Sequence, residues 1–270
     1  MTAPDPLPPL LANDGLSHTE ETGEQTGIHH FAIGAQSAKT CPSFSGVCVL
    51  PDFVSETEAL ALLGVIDRTS FLPSQSGKQK QHYGPKVNFN KRRVNADSFR
   101  GLPSYAASLE ARLRERIAIH TIRRSANRDG LTQALSAYET TDVFVLRYRA
   151  EDLSNLDFHL DDVFAYGELI LDLSLESDSV MTFYRGRPGG EIKNSASEPT
   201  EQACVRVPIP ARSMLVLFGA ARYDWEHAIL AADVVSQRTS ITLRTLGRTV
   251  LETEAGRAVL ERARQSPSDE

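Results

Sequence analysis

The rhythm of apolar and polar positions changes several times along the chain. Over residues 1–44, Pro4, Pro6, Pro8 and Pro9 stand among many Ser, Thr and Glu with few β-branched or aromatic residues. Such a stretch cannot bury enough surface to offset its ordering entropy, so a disordered N-terminal tail is expected. From Gly46 the pattern tightens: Val47, Val49 and Leu50 read as a short strand. Ser55 with Glu58 forms a capping box ahead of Leu60, Leu62, Leu63 and Ile66, which predicts a helix over 56–68. Residues 74–101 carry Gly77, Gly84 and Pro85 with sparse apolar positions, the signature of a long loop or loose hairpin. Tyr105, Leu109, Leu113 and Ile117 then recur every fourth residue and predict a second helix over 103–119.

Beyond a polar connector the period falls to two. Residues 143–148, 168–175, 179–184, 204–209, 213–218 and 238–246 are short, rich in apolar or β-branched residues, and bounded by Gly, Pro, Ser or Asp, as strands are. In the second of these, Leu169, Leu171, Leu173 and Leu175 share one face. Six short strands without intervening helices predict an antiparallel sandwich or barrel such as a jelly roll, with helices flanking it, a mainly β fold of the α+β class. Residues 185–203 form an apolar-poor insertion, and 255–264 a short charged helix. The expected layout is one folded domain over 45–247, followed by a short helix and frayed tail over 248–270.

Composition narrows the class. The 270 residues are 41% hydrophobic and 24% charged with a formal net charge of −6. That is ordinary for a globular chain and argues against a bulk nucleic-acid coat. Cys41, Cys48 and Cys204 make an odd set without a CxxC pair, and neither a bilayer-length apolar run nor a secretory start is evident. The expectation is a protein of a reducing compartment, cytoplasmic or nuclear, with no membrane contact and no structural disulfide.

Candidate chemistry begins at His159-Leu160-Asp161. On a strand this spacing puts imidazole and carboxylate on one face, about 7 Å apart. Seven His and 16 Asp in 270 residues supply roughly 0.4 such matches by chance, so the motif alone is weak. His227, 66 positions beyond Asp161, completes a set of two histidines and one carboxylate. That facial arrangement leaves coordination positions open and is the one used by non-haem Fe(II) oxygenases. Eleven residues further on, alternation puts Arg238, Ser240, Thr242 and Arg244 on one face, opposite Thr239, Ile241, Leu243 and Thr245. Two arginines inside an apolar sheet need anions, and a dicarboxylate co-substrate supplies them.

The order His-x-Asp, distant His, Arg-x5-Arg resembles that of the AlkB family of Fe(II)- and 2-oxoglutarate-dependent dioxygenases. The blocks SQSGKQKQHYGPKVNF (74–89), HLDD (159–162), GEL (167–169) and PIPARSMLVLFGAARYDWEHAI (208–229) look like its homologue-four subgroup. The resemblance spans about 45–247. It implies a double-stranded β-helix and oxidative removal of N-methyl groups, from methyl-lysine on a protein such as actin or from N6-methyladenine in DNA. It also implies that His159, Asp161 and His227 hold Fe(II), that Arg238 with Tyr148 holds the far carboxylate of 2-oxoglutarate, and that Arg244 serves the end near the metal. O₂ is the second co-substrate. Where many AlkB enzymes carry Asn-x-Tyr, this chain has Leu146-Arg147-Tyr148, so only Tyr148 carries over.

Substrate selection is expected in residues 78–100. Lys78, Lys80, Lys86, Lys91, Arg92, Arg93 and Arg100 face a single acid, Asp97, so a chain of net −6 reverses sign locally to +6. With Tyr83 and Phe89, this segment is suited to phosphates and bases or to an acidic protein surface. Asp162 and Trp225 are candidates for supporting the metal ligands, and His82 reads as a surface residue. Two alternatives from other classes stand beside the oxygenase: an inert jelly-roll binding module whose metal site is vestigial or filled by Zn²⁺, and a nucleic-acid adaptor using only the basic segment.

Overall fold

A computed structural model describes residues 44–123, 129–185 and 203–265. The predicted N-terminal tail up to residue 43, nearly all of the insertion over 185–203 and the last five residues lie outside them. In chain order the elements are β1 (Val47–Leu50), α1 (Glu56–Ile66), β2 (Leu72–Pro73), β3 (Gln79–Tyr83), β4 (Lys86–Asn88), β5 (Arg93–Asn95), α2 (Tyr105–Arg123) and α3 (Asp129–Ser136). There follow β6 (Asp142–Arg149), β7 (Leu156–His159), β8 (Tyr166–Glu176), β9 (Ser179–Arg185), β10 (Ala203–Ile209), β11 (Met214–Leu217), α4 (Gly219–Tyr223), β12 (Glu226–Ile229), β13 (Gln237–Leu246), α5 (Arg248–Leu251) and α6 (Glu254–Arg264).

The strands form a seven-stranded sheet in the order β1-β11-β8-β13-β6-β3-β2 and a four-stranded sheet in the order β10-β9-β12-β7. All pairings are antiparallel, and the two sheets make the jelly roll. Each face of the large sheet has its own core. On the outer face Leu169, Leu171, Leu173 and Leu175 of β8 join Val143, Val145, Ile241 and Leu243 under Leu109, Leu113 and Ile117 of α2, so the period of two in the strands meets the period of four in the helix. The inner face packs Leu146, Ile170, Leu215 and Leu217 against Met181, Phe183, Val207 and Ile229 of the small sheet. Val250 and Val259 are buried in the outer core, so the helices over 248–264 pack as part of the domain.

At the first helix, Ser55 accepts from the Glu58 amide and Glu58 from the Ser55 amide, both halves of the capping box. The stretch 74–101 is more ordered than its composition implies. Strand β3 pairs in register with β6, and β4 with β5 as a separate hairpin. Gln81 on β3 donates to the carbonyls of Ile66 and Thr69; backbone pairing and side-chain amides, which leave no apolar signal, hold this segment.

Candidate active site

A cavity of about 420 Å³ opens between the sheets. Strand β13 supplies its wall: Arg238, Ser240, Thr242 and Arg244 line it, while Ile241 and Leu243 go to the opposite core, as the alternation predicted. Tyr148, Tyr166, Asp172, His159, Asp161, Asp162 and His227 complete the polar lining.

His159 and His227 face each other as a register pair of β7 and β12, with ring centroids 4.3 Å apart. The expected strand position of Asp161 is corrected: β7 ends at His159, and the carboxylate enters the cavity from the turn that follows. This brings one donor atom from each of His159, Asp161 and His227 within 4.8 Å of one another. His227 Nε2 lies 3.6 Å from Asp161 Oδ2, close to the roughly 3 Å between neighbouring ligands whose bonds to one ion are about 2.1 Å. His159 Nδ1 must donate to the Asp157 carbonyl at 2.9 Å, which leaves its Nε2 lone pair free for a metal. Burial, reinforced by His159 and opposed by Asp161, pushes the His227 pKa down to about 3, so its imidazole is neutral. Burial alone would raise that of Asp161, but Arg244, then His227 and His159, outweigh it and hold the carboxyl at about 2. Two imidazoles and a carboxylate are a donor set that fits Fe(II).

Arg238 is buried, Arg244 is largely so, and both are paired. Arg238 Nη2 donates to Asp172 at 2.6 Å and its Nε to Ser174 at 2.9 Å, with its guanidinium 5.2 Å from the Tyr148 ring centroid. Arg244 donates to Asp142 through Nε and Nη2 and to Asp161 through Nη1, and lies 3.9 Å from the Tyr166 ring centroid. The protein's own carboxylates therefore supply anions that the sequence argument asked of a co-substrate alone.

The basic segment separates into parts. Lys78 is buried, its pKa lowered by burial, and its ammonium donates to the Asn155 carbonyl. Tyr83 packs against the outer core and donates to Gln81, and Lys80 on β3 is half-buried. Phe89 alone of these reaches the cavity. Lys86, Lys91 and Arg93 line a neighbouring groove of about 950 Å³ between the β4–β5 hairpin and α6, which Phe89 also borders. Arg92 lies over the Phe164 ring at 4.8 Å.

Arg222 is the main residue that sequence reasoning missed. It is buried on α4 and donates to the carbonyls of Asp161 at 2.8 Å and of Asp162, Tyr166 and Gly167 at 3.3 Å. It thereby braces the turn that presents Asp161. Asp162 caps the same turn by accepting from the amides of Phe164 and Ala165. Trp225 is a fully buried core aromatic. His82 is exposed, as a surface residue should be, and its Nε2 also hydrogen-bonds the buried carboxylate of Asp142 at 2.6 Å. No helix among the described residues is long and apolar enough to cross a membrane.

Among known proteins, this chain is 34% identical over 220 residues to the human alpha-ketoglutarate-dependent dioxygenase alkB homolog 4, covering 75% of this chain and 68% of that protein. It is 30% identical over 223 residues to a Caenorhabditis elegans DNA N6-methyl adenine demethylase, covering 82% and 67%. The solved structure of OsALKBH1 shares the fold with a TM-score of 0.55 at 11% identity, over 77% of this chain and 98% of that one. No family model matches the chain.

Proposed function

The chain belongs to the AlkB family of alpha-ketoglutarate-dependent dioxygenases, and from that premise we propose that it removes N-methyl groups oxidatively from a methylated protein or methylated DNA. Its cofactors are Fe(II) and 2-oxoglutarate. The reading is carried by one observation: donor atoms of His159, Asp161 and His227 converge within 4.8 Å in a cavity that Arg238 and Arg244 share.

In this reading His159, Asp161 and His227 hold the iron. Arg238, with Tyr148 beside it, holds the far carboxylate of 2-oxoglutarate, and Arg244 serves the end near the metal while bonding Asp161. When bound, the iron supplies a two-electron oxidation in which O₂ hydroxylates a methyl C–H bond and 2-oxoglutarate leaves as succinate and CO₂. The N-hydroxymethyl product then breaks its C–N bond, releasing formaldehyde and the bare amine. The side chains orient the reactants: Arg244 pins Oδ1 of Asp161 and leaves Oδ2 toward the metal position. Phe144, Leu146, Ile170 and Met181 line the cavity with apolar surface that excludes water.

Lys86, Lys91, Arg92, Arg93 and the half-exposed Phe89 form the basic rim that receives the methylated partner. The C. elegans relative's name favours methylated DNA, and an acidic protein such as actin suits the same charge. The test is anaerobic loading with Fe(II) and 2-oxoglutarate, then admission of O₂ with either a methyl-lysine peptide or N6-methyladenine DNA. Formaldehyde and succinate in equal amounts with one of them is expected. Absence of both products with both substrates would leave an inert binding module or adaptor as the reading.

A further inference from the structure

We propose that His82 and Asp142 are positioning residues that set the Asp161 carboxylate through Arg244, and so tie strand β3 to the metal centre; this rests on the reading of Asp161 as an iron ligand. The four side chains make one continuous line. His82 Nε2 lies 2.6 Å from Asp142 Oδ2. Asp142 Oδ1 takes Arg244 Nε at 2.9 Å and Nη2 at 2.7 Å, and Arg244 Nη1 reaches Asp161 Oδ1 at 2.8 Å. The first three stand on neighbouring strands of the large sheet, with His82 opposite Phe144 and Asp142 opposite Arg244 in the register.

The division of oxygens gives the line its mechanical sense. Arg244 is shared between two carboxylates, one along its Nε edge and one at Nη1. Asp142 is fully buried, so an oxygen left there without a donor is unfavourable. His82 satisfies Oδ2 and leaves Oδ1 for Arg244. Without it, Asp142 gains by turning both oxygens onto the guanidinium as a bidentate fork, which draws Arg244 away from Asp161. The Asp161 carboxylate then loses the bond that fixes which oxygen faces His227.

The backbone is shaped around the same pair. A Cβ on Gly84 would lie 2.1 Å from Asp142 Oδ2 and 2.8 Å from His82 Nε2, so the backbone just past β3 closes over the His82–Asp142 hydrogen bond with no room for a side chain. The His82 ring also lies 5.1 Å from that of Phe144, which lines the active-site cavity.

The experiment uses the full chain, metal-free, as wild type, His82→Ala and His82→Gln. The glutamine amide can donate where Nε2 does. Mn(II) affinity is read from the free-ion electron paramagnetic resonance signal, and the anaerobic Fe(II)–2-oxoglutarate complex from its visible charge-transfer absorption. His82→Ala is expected to weaken Mn(II) binding about tenfold and shift the absorption, in line with supporting residues of other metal sites. His82→Gln is expected to recover most of both, with all three proteins melting within a few degrees of one another. Wild-type affinity and absorption in His82→Ala overturn the proposal, as do equal losses in the alanine and glutamine variants. A wild-type protein that binds no Mn(II) overturns the metal-site reading itself, and this inference with it.

Discussion

Arg222→Leu is the substitution whose effect follows most directly from counted contacts. The guanidinium satisfies four carbonyl oxygens of the turn over residues 161–167, one at 2.8 Å and three at 3.3 Å. A charged donor at good distance contributes about 1.5–3 kcal/mol, and three long bonds at the low end add about 0.5 kcal/mol each. Leucine regains roughly 1 kcal/mol by filling part of the space with apolar surface. Loss of the charge also removes the desolvation and the repulsion from Arg244 that together lower the Arg222 pKa. The expected net destabilisation is about 2–4 kcal/mol, or a fall in Tm of roughly 5–15 °C for a domain of this size. Differential scanning calorimetry on the metal-free protein measures it, and Mn(II) affinity should fall too, because the turn carries Asp161. Arg222→Lys, retaining the charge and one bond, should lose about half as much. A leucine variant that melts with the wild type and binds Mn(II) equally well refutes the idea that Arg222 holds this turn.

Arg238 is almost fully buried and paired with Asp172 at 2.6 Å; Arg238→Met should raise the Kd of 2-oxoglutarate about 100-fold in calorimetric titration with Mn(II) present, and a change under twofold would exclude this arginine from co-substrate binding. Lys91, Arg92 and Arg93 are exposed, so changing all three to Glu should leave Tm and 2-oxoglutarate affinity intact while lowering substrate kcat/KM about tenfold at low salt, less at high salt. Turnover at the wild-type rate in that variant removes the hairpin from substrate selection. Glu58, bonded first to Arg112 and then to Ser55, has its pKa lowered from 4.5 to about 2; its contribution is present above 4.5 and fades as pH falls toward 2, so the Tm gap between wild type and Glu58→Gln should close over that window and stay constant above it. Mn(II) should strengthen 2-oxoglutarate binding by more than tenfold, because the metal-free cavity carries net negative charge; equal Kd values with and without metal would contradict this.

The parts of the molecule legible in sequence are those whose signal is local. Strand β13 announces itself by strict alternation, and the structure sends Ile241 and Leu243 to one core and Arg238 and Arg244 to the cavity. The leucines of β8 and the fourfold repeat of Tyr105, Leu109, Leu113 and Ile117 are of the same kind, each a periodicity that burial imposes. Strands β7 (LDFH) and β12 (EHAI) escape because polar residues interrupt them, so they lack the unbroken apolar run that marks the equally short β1 and β11. Strand β3, QKQHY, has no apolar face; only pairing with β6 makes it a strand. Asp142, Asp172, Arg222 and His82 were invisible as site residues for a different reason. Their partners lie 55 to 102 positions away, and for Arg222 the partners are backbone carbonyls, which carry no sequence at all.

The internal ion pairs bear on why the cavity can exist before it is loaded. A buried guanidinium without a counterion carries a desolvation penalty of several kcal/mol, and the protein must fold before co-substrate arrives. Asp172 neutralises Arg238, and Asp142 with Asp161 more than neutralises Arg244. Within this cluster of ion pairs three carboxylates against two arginines leave one negative charge, beside a His227 imidazole that burial keeps neutral. A divalent metal reverses that sign, and a dianionic co-substrate restores it, so the net charge of this cluster and its ligands never exceeds one unit at any stage of filling. The order follows from the signs: the empty cavity attracts a cation and repels 2-oxoglutarate, and once the metal is in place it attracts the dianion. The carboxylates that weaken the case for a co-substrate read from two arginines alone are thus what let those arginines stay buried and still receive one.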